Sequence, residues 1–460
     1  MKTETIAAVA TALSESGISM IRISGNEAVE IADRIFQTKG KKHILKDAVS
    51  HTIHYGFIYD ENELVDEVMI SVMRAPRSYT MEDTVEINCH GGVLMTKRIL
   101  ELVLKSGAVL AEPGEFTKRA FLNGRIDLSK AEAVMDVIHA TNELALKSSL
   151  SQLRGSVSEV IRNLREKIIY EIAFIESALD EPEHISTEGY REKLGSTVEL
   201  LLFELKKLLD RADCGKMMKE GIRTVILGKP NAGKSSLLNL LAGEEKAIVT
   251  DVAGTTRDAL EESIKIRGIG LNVVDTAGIR STEDIVEKIG VEKAIRFAKD
   301  ADLILYVVDS SAPLDENDLE IFSLIKEKNT IILLNKTDLP PVVTKEELSE
   351  KCNGSYPVIK ISTVEHTGIE ELEETVQTMF FHGKISFENE VYLTNIRHKE
   401  AVREAYESLL LVKNSIALDM PEDFYSIDLM NSYAALGRII GEEVGEDLVN
   451  EIFSKFCIGK

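Results

Sequence analysis

The chain has 460 residues, too many for one hydrophobic core, so two or three domains are expected. Apolar residues make up 44% and charged residues 28%, which excludes a disordered chain, and no apolar run approaches the roughly 20 residues that cross a bilayer. The net charge of −23 disfavours strong nucleic-acid binding by the chain alone, because such binding depends on Lys and Arg displacing counterions.

The first 120 residues predict a compact α+β domain. Glu4 interrupts the short apolar stretch at the N-terminus, which disfavours a signal peptide. Runs rich in β-formers predict strands at 18–23, 65–73 and 84–88, and apolar spacing over 91–105 predicts a helix.

From about Asp127 the pattern becomes helical. Apolar residues recur every three or four positions over 128–153, 157–179 and 198–209, which predicts long helices. The acidic segment 180–189 predicts a loop between two of them.

Near Gly221 strands begin to alternate with helices, and after Phe381 helical spacing returns. We therefore expect an α/β module inserted into one helical domain. Two separate helical domains are less favoured, because a short C-terminal tail alone buries little surface. The predicted strands are 224–227, 271–274, 303–308 and 330–334, and the predicted late helices are 399–413, 426–441 and 448–456. The predicted domains are 1–120, 121–215 (first helical half), 216–383 (inserted module) and 384–460 (second helical half).

Residues 228–235 (GKPNAGKS) match the phosphate-loop pattern G-x-x-x-x-G-K-[ST], between a predicted strand and a predicted helix at 235–241. The glycines let successive backbone N–H groups converge on phosphate, and the helix N-terminus favours an anion. Lys234 is expected to reach the β- and γ-phosphates, and the Ser235 hydroxyl to ligate magnesium. A chance glycine loop is disfavoured, because motif, strand and helix agree.

Three later segments arrive in the order of a GTP-binding module. In residues 275–278 (DTAG), Asp275 is expected in the magnesium shell and Gly278 near the γ-phosphate. In residues 335–338 (NKTD), the Asp338 carboxylate is able to accept two hydrogen bonds from guanine N1–H and its exocyclic amine. Adenine offers no such donor pair, so we predict GTP. Ser362 and Thr363 form the weaker last loop.

Two details separate this site from a Ras-like switch. Ile279 stands where a Ras-like enzyme has the glutamine that orients the attacking water, so another group must do so. Asn231, with residues 250–258 (TDVAGTTRD), offers oxygens for a large monovalent cation beside the phosphates. A purely structural role of Asn231 in the loop is equally compatible with these residues.

Several segments, which together span the chain from the first strand to the last residue, match a known family. The chain resembles the MnmE (TrmE) family of bacterial tRNA-modification GTPases. The segments that carry the resemblance are 21–25 (IRISG), 82–92 (EDTVEINCHGG), 113–117 (PGEFT), 119–123 (RAFLN), 231–236 (NAGKSS), 254–258 (GTTRD), 275–280 (DTAGIR) and 456–460 (FCIGK).

The resemblance implies an N-terminal tetrahydrofolate-binding-like domain that dimerises, an all-α helical domain in two halves and an inserted α/β P-loop G domain. It assigns potassium to Asn231, Thr250, Val252 and Thr255, and magnesium to Ser235 and Thr256. It also implies three catalytic residues, Glu287, Lys234 and Asp275, with Glu287 positioning the attacking water. From the sequence pattern alone, Glu287 would be a solvated charge on a helix. The implied GTP-binding residues are Asn231, Ala232, Gly233, Lys234, Ser235, Ser236, Thr250, Asp251, Val252, Ala253, Gly254, Thr255, Thr256, Asp275, Thr276, Ala277, Gly278, Asn335, Lys336, Asp338, Ser362 and Thr363.

The resemblance further implies a folate site of Arg22, Glu86, Arg125 and Lys460. Glu86 suits the pterin amino and ring N–H groups, and cations suit the glutamate tail. Family members can carry lysine at the position of Arg125, which keeps the charge but changes the geometry. An ordinary ion pair is the alternative for Arg22 and Glu86.

The four cysteines lie far apart without a C-x-x-C pair, which disfavours a zinc cluster or disulfide framework and predicts a cytoplasmic protein. Cys457 has three interpretations. A prenylation box fits poorly because Gly459 and Lys460 follow it. A buried core cysteine is common. The resemblance places Cys457 near the one-carbon site, which implies a part in that chemistry.

The implied function is a potassium-dependent GTPase that acts as a homodimer with the flavoprotein MnmG. The pair would add an aminomethyl or carboxymethylaminomethyl group to C5 of the wobble uridine of certain tRNAs. The carbon would come from a tetrahydrofolate derivative of the 5-formyl or 5,10-methylene type, and tRNA would be contacted mainly through the heterotetrameric or larger complex. The rivals are a ribosome-assembly GTPase, which predicts a basic RNA-binding appendage, and a membrane-remodelling GTPase, which predicts a basic or strongly apolar face.

Overall fold

The computed structural model describes residues 4–40, 42–244, 261–274, 297–326, 328–352, 356–381 and 390–459. The chain forms two compact units. The first comprises Met1–Met135, Gln152–Thr197 and Glu407–Lys460, and the second comprises Asp136–Ser151 and Val198–Tyr406.

The N-terminal part of the first unit is a seven-stranded sheet, antiparallel except where its first strand pairs with its last. Ile21, Ile23 and Ile87 point to one face, where the helices Ala28–Ile35 and Val93–Lys105 cover them. Because side chains alternate along a strand, the residues between these isoleucines lie on the opposite face. In chain order the strands are β1 (Ile6–Val9), β2 (Ile18–Ser24), β3 (Phe36–Gln37), β4 (Thr52–Asp60), β5 (Glu63–Met73), β6 (Thr84–His90) and β7 (Val109–Leu110), and their order in the sheet is β3-β4-β5-β6-β2-β1-β7.

Helices make up the rest of the first unit, and some continue into the second. Leu128 packs with Phe453 and Phe456, so the C-terminal helix closes a core with a helix that begins about 320 residues earlier. Gly441, with φ +88°, ends the helix before it. Besides Ala28–Ile35 and Val93–Lys105, the described helices outside the inserted module are Glu115–Leu122, Leu128–His139, Glu143–Arg154, Ser156–Asp180, Tyr190–Glu220, Ile396–Ala417, Glu422–Ile440 and Glu446–Ser454.

Two helix predictions need correction. The predicted helix 128–153 is two helices, because Asn142 begins a new one by accepting a hydrogen bond from Ala145 N (2.8 Å) while its amide donates to Met218 O (3.1 Å). The predicted helix 198–209 is part of the much longer Tyr190–Glu220. The prediction ended too early because charged residues replace the apolar spacing after Leu209, although same-face pairs such as Lys206–Asp210 (2.9 Å) are compatible with a helix.

The second unit contains a six-stranded sheet whose strands are parallel except one edge strand, Glu261–Ile266, which pairs antiparallel with its neighbour Ile269–Val274. Alternate residues of its central strands pack into two different cores, one on each face, which explains their continuous apolar runs. The strands are β8 (Ile222–Leu227), β9 (Glu261–Ile266), β10 (Ile269–Val274), β11 (Leu303–Asp309), β12 (Thr330–Asn335) and β13 (Val358–Lys360), in the order β13-β12-β11-β8-β10-β9. The helices are Lys234–Glu244, Glu316–Leu324, Lys345–Lys351 and Ile369–Phe381.

The predicted strands of both sheets are therefore confirmed to within a few residues. Since β8, β12 and β13 run parallel, the motif segments that follow them lie at the same edge of the sheet. Among the described helices, none combines the length and the apolar character needed to cross a membrane.

Candidate functional site

The phosphate loop follows β8 directly and has a backbone that only particular residues adopt. Gly228 has φ +147°, and a Cβ there would lie 2.3 Å from Val307 O on β11. Gly233 has φ +103°, and a Cβ there would lie 2.1 Å from Asn335 Nδ2. Both positions therefore require glycine. Asn231 has φ +64°, a left-handed conformation that asparagine tolerates better than most residues.

Lys234 begins the helix Lys234–Glu244, and its ammonium group turns back over the loop. Its Nζ donates to Gly228 O and to Lys229 O, both at 2.7 Å. Ser235 and Ser236 follow in the first helical turn. A helix N-terminus with a lysine held above it is suited to bind a phosphate group.

Asn335 joins the phosphate loop to the last two loops. Its side chain is fully buried; Nδ2 donates to Ala232 O (2.9 Å), and Oδ1 accepts from Thr363 N (3.3 Å). The Ser362 hydroxyl donates to Asp338 Oδ1 (2.6 Å) and so orients that carboxylate. The structure thus brings together residues that the sequence placed in three separate segments.

Lys336 is held in place by an aspartate that the sequence analysis missed. Its Nζ lies 2.5 Å from Asp309 Oδ2, at the end of β11. Burial raises the pKa of Asp309, but hydrogen bonds from Lys336 and Ser311 outweigh it, and the pKa lies below its usual range. The signal was only the position of Asp309, at the carboxyl end of a buried strand.

Several predicted site residues lie outside the described residues, and their roles stay predictions. They are Thr250, Asp251, Val252, Ala253, Gly254, Thr255, Thr256, Asp275, Thr276, Ala277, Gly278, Glu287 and Lys460.

A second group of predicted residues meets on the N-terminal sheet, on the face opposite the isoleucine core. Arg22 on β2 is the cross-strand neighbour of Glu86 on β6. Its Nε and NH2 both lie 2.9 Å from Glu86 Oε1, and its NH1 donates to Gly459 O (3.2 Å). The ion pair is mostly buried, with side-chain exposures of 14% and 19%.

Tyr79 lies between two arginines and links Arg125 to this group. The guanidinium of Arg125 lies 4.9 Å from the centre of the Tyr79 ring, and that of Arg22 lies 5.9 Å from it. Arg125 NH1 also donates to Tyr79 O (2.8 Å). The sequence analysis did not identify Tyr79, since a single tyrosine in a turn carries no motif.

The closing segment of the chain docks beside this group. Gly459 has φ +89°, and a Cβ there would lie 2.3 Å from Val9 O on β1. Gly114 N donates to Cys457 O (3.2 Å). Phe456 is buried whereas Cys457 is exposed, so the interpretation of Cys457 as a buried core cysteine is wrong.

Comparison with known proteins shows the family of the chain. The family "GTP-binding protein TrmE N-terminus" matches residues 5–125, and the family "MnmE helical domain" matches residues 128–457. The chain is similar to the "tRNA modification GTPase MnmE" of Lachnoclostridium phytofermentans, with 59% identity over 460 residues and 100% of both chains covered. It is similar to proteins of the same description from Listeria welshimeri (47% identity, 100% of both chains) and Bacillus subtilis (46%, 99% of this chain and 100% of the relative).

The family and fold class predicted from the motifs are therefore confirmed: a TrmE-type N-terminal domain, an MnmE-type helical domain and a P-loop G domain. The phosphate loop and the loops that contain Asn335, Asp338 and Ser362 are those of a nucleotide-binding protein. The chain belongs to the MnmE family, the GTPases of tRNA modification.

Proposed function

We propose that this chain is a potassium-dependent GTPase that, with the flavoprotein MnmG, adds an aminomethyl or carboxymethylaminomethyl group to C5 of the wobble uridine of certain tRNAs. The carbon is taken from a tetrahydrofolate derivative, and GTP hydrolysis drives pairing of G domains in the homodimer. One observation carries the proposal. This chain, a member of the MnmE family, contains two separate groups of polar residues in contact, one around Lys234 and one around Arg22.

The GTP half of the proposal is supported by the contacts of the loops. Lys234 lies over the phosphate loop, and Ser362 orients the Asp338 carboxylate toward one defined direction. Ser235 stands in the first turn of the helix that follows the phosphate loop, and its hydroxyl oxygen is of the kind that would ligate a magnesium ion beside a phosphate bound there. Magnesium held there would neutralise charge on the phosphates.

The folate half is supported by the chemistry of the second group. A carboxylate at Glu86 is an acceptor for the N–H groups of a pterin, and the cations Arg22 and Arg125 suit a polyanionic tail. Lys460, the next residue after Gly459, adds a third cation in the proposed site. The exposed Cys457 is close in sequence to this site and is accessible for one-carbon chemistry.

The homodimer is supported by an apolar surface on the N-terminal sheet. Ile53 and Tyr55 lie two residues apart on β4, so their side chains share one face of the sheet, and Met69 on β5 is the cross-strand neighbour of Tyr55. These side chains are exposed by 69%, 55% and 49%. A second copy that covers them removes apolar area from water.

Replacing potassium by sodium at equal ionic strength should slow GTP turnover at least about tenfold, because the larger ion stabilises charge that develops on the phosphates. Asn231→Gly keeps the positive φ but removes the side-chain oxygen, so this variant should be slow in both salts. Phosphate release under saturating GTP measures the rates. Equal rates of the unmodified protein in the two salts would remove the cation role of Asn231.

The proposal as a whole is tested by mass spectrometry of tRNA nucleosides from a strain that carries Lys234→Ala. The C5-substituted wobble uridine should disappear while ribosomal RNA processing stays normal. Lys351→Ala, which removes an exposed cation of the same unit, is the matched control and should leave the nucleosides unchanged. Unchanged nucleosides with accumulating ribosomal precursors would instead assign the GTPase to ribosome assembly.

A further inference from the structure

Lys229 occupies a position of the phosphate loop that the motif G-x-x-x-x-G-K-[ST] leaves unspecified, and its side chain reaches two carboxylates outside the loop. Its Nζ lies 2.7 Å from Asp318 Oδ2 and 3.1 Å from Asp315 Oδ2. It also donates to Pro313 O (3.3 Å). The ammonium group is thus surrounded by oxygens from one short stretch of chain, 313–318.

Asp318 is a rigid anchor for this cation. Its residue is only 1% exposed, and each carboxylate oxygen has a fixed partner. Oδ1 accepts from the Tyr306 hydroxyl on β11 (2.6 Å), and Oδ2 accepts from Asp315 N (2.9 Å) as part of the capping box that begins the helix Glu316–Leu324. Burial raises the pKa of Tyr306, so its hydroxyl stays protonated and donates.

The backbone of Lys229 holds the phosphate-binding lysine. Lys234 Nζ donates to the carbonyl oxygens of Gly228 and Lys229, so the direction of these two carbonyls decides where that ammonium group lies. Gly228 is already pressed against Val307 O on β11. The side chain of Lys229, the residue after Gly228, is paired with Asp318, which accepts a hydrogen bond from Tyr306 on β11. Lys229 is therefore linked to the same strand as Gly228.

We propose that the Lys229–Asp318 ion pair positions the phosphate loop, holding Lys234 in place for a nucleoside di- or triphosphate before it binds. This inference rests on the proposed binding of GTP by the phosphate loop. Because a preordered loop loses less conformational entropy on binding, the pair acts on nucleotide affinity. Lys229 and Asp318 are positioning residues in this proposal, since the described partners of their polar side-chain atoms are each other, the 313–318 segment and Tyr306.

The test is a double-mutant cycle on the full-length protein with fluorescent GDP and a non-hydrolysable GTP analogue. Lys229→Met should weaken both ligands about tenfold, a value reduced for the partial exposure of the lysine. Lys229→Arg, which keeps the charge, should restore most of the affinity. Asp318→Asn should match Lys229→Met, and the double variant should lose no more than either single variant. Because bound nucleotide itself orders the loop, the saturated turnover rate should fall by a smaller factor than the affinity.

Lys351→Met removes an exposed ion pair with Glu347 in the same unit and is the matched control for charge and stability. Affinity of Lys229→Met within twofold of the unmodified protein, or strictly additive losses in the cycle, would overturn the inference. If Asp318→Asn fails to fold, the comparison of Lys229→Met with Lys229→Arg still decides, at a temperature where both are folded. Lys234→Ala separates the two proposals: unchanged affinity in that variant contradicts phosphate-loop binding itself.

Discussion

Asp338→Asn should lower the affinity for GTP about 10³-fold, because an amide presents one acceptor and one donor where guanine needs two acceptors. The Ser362 hydroxyl donates to Asp338 Oδ1 and holds the side chain in one orientation, so the asparagine has little freedom to find another arrangement. Xanthine carries a carbonyl in place of the exocyclic amine. The variant should therefore prefer the xanthine nucleotide.

Competition between GTP and xanthosine triphosphate for one fluorescent nucleotide measures this change. Asp300→Asn is the matched control, since it removes an exposed carboxylate that precedes β11, at the opposite edge of the sheet from the motif loops. The control should keep full selectivity for GTP. If Asp338→Asn also keeps it, the base is recognised by other residues.

Glu86→Gln should weaken the binding of 5-formyltetrahydrofolate about 10²-fold, because two charge-assisted hydrogen bonds become weaker or are lost. Arg22 makes the effect larger, since its guanidinium loses the carboxylate that fixes it and is free to move away from Gly459. GTP turnover without the partner protein should stay within twofold, as the substitution lies in the other unit.

Isothermal titration with the folate measures the first effect, and the unfolding midpoint shows whether the fold has suffered. Glu63→Gln breaks an exposed pair with Arg98 in the same domain and should leave folate binding intact. An unchanged dissociation constant in Glu86→Gln would leave Arg22 and Glu86 as a structural ion pair alone.

The predicted strands agree with the structure because the burial pattern of each strand is visible in its own short segment of sequence. The strands around Ile21 and Ile87 alternate buried and half-exposed residues, whereas the middles of β11 and β12 are continuously apolar because both faces of that sheet are covered. Both patterns are local and visible in a short window of sequence. The break before Glu143 was missed because the three- and four-residue apolar spacing runs on through Asn142, although its side chain accepts from Ala145 N as a helix cap and donates to the distant Met218 O.

The family was predictable from short segments of sequence, and so was the phosphate-loop pattern, because phosphate binding requires glycines, a lysine and a hydroxyl at fixed spacing. Which distant residues meet at each candidate site depends on the tertiary structure. The register between β2 and β6 places Arg22 opposite Glu86. The buried side chains of Asn335 and Asp318 each bond to the phosphate loop from a distant segment of the chain. Such contacts depend on strand pairing and on the need of buried polar atoms for partners, and neither leaves a local signature in the chain.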